Sequence, residues 1–198
     1  MKILAIVGSR RKNGNTAALV ERALEPFRED GSDIEIIYPG ELNIEGCSGC
    51  EGCSKTGLCV VNDDMQPIYR KILEADAIIA GSPTYFYNMT SDMKKFIDRC
   101  YCFFSFDKND RSVWISRLSK GKLKLAGLFA ICEQNSSEDM GYTSDAMKSA
   151  FEALGFRIVF TQKVLHVFKA GDILKNENDL RTAFGNGLKL LKTLKLNS

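Results

Sequence analysis

Five short apolar runs recur along the chain, and between them hydrophobic residues return at helical spacing. Ile3 to Val7 is wholly apolar and stops at Gly8, the pattern of a parallel strand buried on both faces. After a polar loop, Thr16, Leu19, Val20, Ala23, Leu24 and Phe27 follow three- and four-residue steps until Asp30-Gly31, which predicts a first helix and its stop. Ile34 to Tyr38, Ala77 to Ala80 (closed by Gly81-Ser82-Pro83), Leu125 to Cys132 and Arg157 to Val164 supply four more strands. Met65, Ile68, Tyr69, Ile72 and Leu73 mark a helix with Asp63 or Asp64 as cap and Pro67 in its first turn. Further helices carry Met93, Phe96 and Ile97 from about Thr90, then Met147, Ala150, Phe151 and Leu154 up to Gly155, and finally Leu180, Ala183, Phe184, Leu188 and Leu191. Alternating strands and helices predict an α/β fold, a five-stranded parallel sheet wound on both faces. Two stretches fit neither period: Pro39 to Asn62, a long loop rich in Gly and Cys, and Phe103 to Lys122, irregular and holding Trp114.

Length adds one constraint. A chain of 198 residues suits a single domain over 1–198, large enough to bury roughly 70% of its surface without disulfides or metal. Basic and acidic residues nearly cancel, 27 against 25, for a net charge of +2, which sets up no field for nucleic acid or an anionic membrane. No apolar run approaches a membrane span, and the apolar start is too short for a secretory signal. The expected location is the cytoplasm, where thiols stay reduced. Seven cysteines therefore have no stabilising task, and four of them crowd into the thirteen positions from Cys47 to Cys59.

In a parallel sheet every strand-to-helix loop opens at the carboxyl edge, where doubly wound folds bind ligands. The first such loop, Gly8-Ser9-Arg10-Arg11-Lys12-Asn13-Gly14-Asn15-Thr16, offers hydroxyl, amide and cationic groups together with helix N–H donors to a phosphate. It is no Walker A loop, since Gly14-Asn15-Thr16 replaces Gly-Lys-Ser/Thr, and it lacks the dinucleotide G-x-G-x-x-G spacing. The third loop, Pro83-Thr84-Tyr85-Phe86-Tyr87-Asn88, brings aromatic faces to the same edge, which suits a flat ring attached to a phosphate. Plainer readings stand beside these: a solvated basic loop with Thr16 as a simple cap, and aromatics that merely cover the sheet end.

Cys47-x2-Cys50-x2-Cys53-x5-Cys59 lies within residues 46–60, with glycines in and around it. Thiols at steps of three let a short loop wrap one inorganic cluster, and glycines permit the backbone angles this needs. The expected occupant is a single 4Fe-4S cluster held by Cys47, Cys50, Cys53 and Cys59. Zinc on four thiolates and unligated redox thiols are the alternatives. Cys100, Cys102 and Cys132 read as packing cysteines, and His166 has no visible partner.

The first loop resembles the phosphate loop G-S-x-R-x-x-G-N-T of the flavodoxin-like NAD(P)H-dependent FMN reductase superfamily, with Arg11 at the motif arginine and Arg10 where many members have proline. Ser82-Pro83-Thr84-Tyr85-Phe86, the stretch Met93 to Arg99, and Ala170-Gly171-Asp172-Ile173 continue the resemblance. The cysteine spacing is similar to the compact motif of the iron-sulfur flavoproteins, a branch of the same superfamily. The resemblance implies FMN and a strand order of 2-1-3-4-5. It places Ser9, Arg11, Asn15 and Thr16 on the phosphate and Pro83, Thr84, Tyr85 and Phe86 beside the ring, with Asn13 and Asn88 as further candidates in the same loops. It also implies a flavin-dependent oxidoreductase whose chemistry resides on its cofactors and not on a catalytic side chain. Electrons would pass between ferredoxin or a similar carrier and an acceptor. A homo-oligomer, dimer or tetramer, is implied too, with Phe103 to Trp114 as a contact region. Two other functions remain at this point: an NAD(P)H-dependent FMN or quinone reductase lacking the cluster, and a zinc-stabilised binding module.

Overall fold

A computed structural model of the chain describes residues 1–118 and 121–197. Its strands are β1 (Lys2–Val7), β2 (Asp33–Ile37), β3 (Ala77–Tyr85), β4 (Asn88–Met89), β5 (Phe104–Phe106), β6 (Trp114–Ser116), β7 (Lys124–Ile131) and β8 (Phe156–Val164). The helices are α1 (Asn15–Glu29), α2 (Cys53–Thr56), α3 (Met65–Glu74), α4 (Ser91–Arg99), α5 (Thr143–Ala153) and α6 (Glu177–Leu196). Five strands pair in parallel in the order β2-β1-β3-β7-β8, the expected order once the short hairpin strands are passed over.

Side chains alternate across this sheet and divide the core in two. Leu4, Ile6, Ile78, Ala80, Ala126 and Leu128 face α3, α4 and α5. Ile3, Ala5, Val7, Ala77, Ile79 and Phe129 face α1 and α6. These last two helices approach closely at Gly187, where an added Cβ would lie 2.1 Å from the Ala23 carbonyl oxygen. Among the described residues no helix is long and apolar enough to cross a membrane.

Three local expectations need correction. The third strand does not stop at Ala80 but runs through Pro83 to Tyr85. Its pairing with β1 ends at Gly81 while that with β7 continues to Pro83, so the missing proline N–H falls where one neighbour has gone. The stretch from Phe103, read as irregular, contains the antiparallel hairpin β5–β6, whose aromatic residues gather about Trp114; Ser119 and Lys120 of that stretch lie outside the described residues. The cysteine loop holds the single-turn helix α2, closed by Gly57 at φ 75°.

Candidate functional site

The phosphate loop is built from the end of β1. The Gly8 N–H donates to the Gly81 carbonyl, and the loop then turns, with the Ser9 hydroxyl accepting from the Arg11 N–H and Gly14 N–H donating to the Arg11 carbonyl. Helix α1 begins there with no side chain capping it, so its first N–H groups face the loop. An added Cβ on Gly14 would lie 2.9 Å from both the Cβ and the carbonyl oxygen of Arg11. Only glycine lets the loop fold this tightly.

Ser9, Arg11, Gly14, Asn15 and Thr16 form one end of a cleft of ≈ 540 Å³ at the carboxyl edge of the sheet, a size suited to a small-molecule cofactor. Pro83, Thr84, Tyr85, Phe86 and Tyr87 form a second wall. Behind β7 and β8, Ile131, Glu133, Gln134, Asp139, Val167 and Phe168 complete it.

The segment after β8 is fastened to the phosphate loop. Arg11 Nη1 donates to the Phe168 carbonyl at 3.0 Å, and its guanidinium lies 5.6 Å from the Phe168 ring centre. Asn15 uses both ends of its amide on this segment, donating to the Lys169 carbonyl and accepting from the Ile173 N–H. Its side chain thus holds the wall of the cleft. Asn13 and Asn88 are exposed and do not line the cleft; Asn88 turns its carbonyl oxygen onto the Met89 N–H.

The aromatic wall is a two-residue hairpin turn between β3 and β4, with Tyr85 opposite Asn88. Its central residues, Phe86 and Tyr87, have φ of 46° and 63°, a left-handed conformation that Asn and Gly usually supply. Two bulky aromatics there are strained by roughly 1–3 kcal/mol each. Phe86 is nevertheless 98% exposed. The Tyr142 N–H holds the turn through the Tyr87 carbonyl. Strain combined with exposure at a cleft mouth points to use, since neither improves packing.

One atom tests what the cleft takes. The Thr84 hydroxyl is buried and has no hydrogen-bond partner, although buried hydroxyls are nearly always satisfied. Thr84 is itself one of the residues that line the cleft. A flavin with its polar ring edge and phosphate chain fits these residues.

The cysteine loop follows β2. All seven cysteines are free thiols; Cys47 and Cys50 are exposed, Cys53 and Cys59 half-buried, and Cys100, Cys102 and Cys132 buried as packing residues. The Gly52 N–H and the Ser48 hydroxyl hold the Cys50 thiol below its ordinary pKa. Burial raises that of Cys53, as does the nearby charge of Cys59, Cys47 and Cys50. The other three thiols of the loop thus act on Cys53, and as a donor set the four suit a thiophilic metal centre. Among the described residues, however, no three His, Cys, Asp or Glu side chains converge to hold a metal ion.

The sequence profile described as NADPH-dependent FMN reductase matches residues 1–119, the part that carries the phosphate loop, the cysteine loop and the aromatic turn. The chain belongs to this family. An iron-sulfur flavoprotein of Archaeoglobus fulgidus is 40% identical over 99 residues, covering 50% of this chain and 45% of its own. The chain spans about half the length of the curated relatives it matches. A flavone reductase structure superimposes with a TM-score of 0.70 at 20% identity, over 98% of this chain and 63% of the other. An archaeal flavodoxin gives 0.59 at 17%, over 98% and 99% of the two chains. These two likenesses establish the flavodoxin-like fold.

For this FMN reductase family member, eight of the ten cofactor residues expected from sequence line the cleft, Asn13 and Asn88 being the exceptions. Sequence reasoning missed Val167 and Phe168, although their place directly after the last parallel strand was a usable signal. It placed Tyr87 among the aromatics at this edge without naming it a cofactor residue, and missed the strained hairpin turn, which has no Asn or Gly to announce it.

Proposed function

We propose that this NADPH-dependent FMN reductase family member is an FMN-containing iron-sulfur flavoprotein. In this reading it transfers electrons between a one-electron carrier such as ferredoxin and an acceptor. FMN exchanges electrons singly or in pairs and a 4Fe-4S cluster singly, so the two together connect one- and two-electron partners. The chain's own residues bind and orient. Arg11, the Ser9 hydroxyl and the first N–H groups of α1 would hold the phosphate. Thr84 would offer its hydroxyl to a polar atom of the ring, and Tyr85, Phe86 and Tyr87 would screen the ring from water. Cys47, Cys50, Cys53 and Cys59 are the cluster ligands, and the sulfur chemistry of the loop suits the reducing cytoplasm. The exposed apolar residues Val113, Trp114 and Ile115 at and beside β6 support self-association as a dimer or tetramer.

The buried, unpartnered Thr84 hydroxyl in a flavin-sized cleft carries the flavin part of this reading. The whole is tested by the visible spectrum of anaerobically purified protein together with iron, sulfide and FMN analysis. The expected result is one FMN and four irons per chain, with Cys53→Ser losing iron and keeping FMN. Zinc without flavin would overturn it. A second reading, an NAD(P)H-dependent FMN or quinone reductase without a cluster, draws on the thiols not converging into a metal site. Stoichiometric flavin bleaching by NADPH in iron-free protein would establish it.

A further inference from the structure

Arg99 ends helix α4, yet its side chain is fully buried, with 0% exposure against 3% for its partner Asp63. Nη1 and Nη2 grip the two carboxylate oxygens of Asp63, and Nη1 also donates to the Glu45 carbonyl at 2.9 Å. Glu45 and Asp63 stand immediately before and after the cysteine loop. Asp63 completes the closure by accepting from the Glu45 and Met65 N–H groups. A single guanidinium therefore ties the loop's entry to its exit. Beside it, the Tyr69 hydroxyl donates to the Arg99 carbonyl, and Cys59 packs against the core cluster that contains Tyr69. Three of its five N–H donors are used in these bonds; of the nitrogens, Nε alone is buried without any partner. An arginine needed only for the ion pair would leave no such N–H buried, because the unsatisfied group is costly.

We propose that Arg99 is a positioning residue for the cysteine loop, clamping its two ends and keeping Nε–H in reserve for a sulfur of the assembled site. The sulfur part of this inference rests on the reading of the loop as a cluster site; the clamp does not. Lysine cannot replace the fork, having one compact charge where the guanidinium has five fixed donors.

The test uses Arg99→Lys, which keeps the charge, and the double variant Arg99→Met with Asp63→Asn, which removes the buried pair without stranding a charge. FMN content reports that each has folded. In both, amide exchange over residues 45–60 of the metal-free chain should quicken by about tenfold, the scale of a lost charged hydrogen bond. Reconstituted protein should hold less iron and sulfide, and its metal centre should reduce at a more negative potential, because a donor to sulfur favours the more negative reduced state. A passive structural residue would leave the potential of the loaded fraction unmoved. Wild-type exchange in folded variants overturns the clamp, and wild-type potential in loaded variants overturns the donor role. If the wild-type chain takes up neither iron nor sulfide, the cluster reading and the donor role fall together. Loop exchange then decides the clamp alone.

Discussion

Replacing Thr84 by Val should have opposite effects on the free and flavin-loaded protein. The Thr84 hydroxyl is buried and unpartnered, and a stranded group of this kind costs about 1–3 kcal/mol. Thr84 sits in β3, paired with Met89 of β4, where the branched valine keeps the strand geometry. Removing the hydroxyl should stabilise the FMN-free chain by about 1–2 kcal/mol, or roughly 2–8 °C in Tm at 2–4 °C per kcal/mol for a domain of this size. The same change deletes a hydrogen bond that the flavin would make, worth about 0.5–1.5 kcal/mol, so FMN affinity should fall roughly two- to tenfold. Calorimetry of the stripped protein gives the first quantity, and flavin-fluorescence titration gives the second. A lowered Tm without FMN, or an FMN affinity equal to wild type, would refute the reasoning, because the hydroxyl would then have no vacancy to fill.

Gly14→Ala should weaken FMN and destabilise the chain by about 1–3 kcal/mol, since its Cβ meets the Arg11 carbonyl at 2.9 Å; unchanged flavin content would show that the loop relaxes freely. Asn15→Ala removes two hydrogen bonds to the Lys169–Ile173 segment, so amide exchange there should quicken and FMN bind less tightly, with protected amides as the contrary result. Asp92 is held below the ordinary carboxylate range chiefly by its hydrogen bond from Arg10, with the charges of Arg10 and Lys95 also lowering it and burial opposing. Its folded value lies below its unfolded one, so the ionised form favours folding above about pH 4, and that contribution fades as pH falls through the folded value. Urea midpoints taken from pH 7 to 3 should drop more steeply in wild type than in Asp92→Asn, and parallel profiles would contradict the assignment.

The wound sheet was legible because strands buried on both faces must be continuously apolar, as at Ile3–Val7, and because alternating helices leave few ways to connect them. The phosphate loop was legible for a related reason. Gly14 and the residues around it satisfy a local requirement, a tight turn into a helix N-terminus. The β5–β6 hairpin was not, because its pairing depends on an aromatic cluster drawn from Tyr101, Phe104, Phe106 and Trp114, and no short window shows that cluster. Nor was the aromatic turn at Phe86 and Tyr87, which violates local preference and is held from outside by Tyr142.

The sequence alone determined the α/β architecture, the edge at which ligands gather and the crowding of four thiols into one loop. All of these follow from short-range spacing combined with topology. Tertiary structure decided which side chains are spent on holding the site and which are left over. It committed Asn15 to the far wall of the cleft, joined Glu45 to Asp63 through an arginine far along the chain, and left the Thr84 hydroxyl and Arg99 Nε buried without partners. Hydrogen-bond satisfaction is a property of the packed interior, where water is excluded and every donor must find its acceptor among residues distant in sequence.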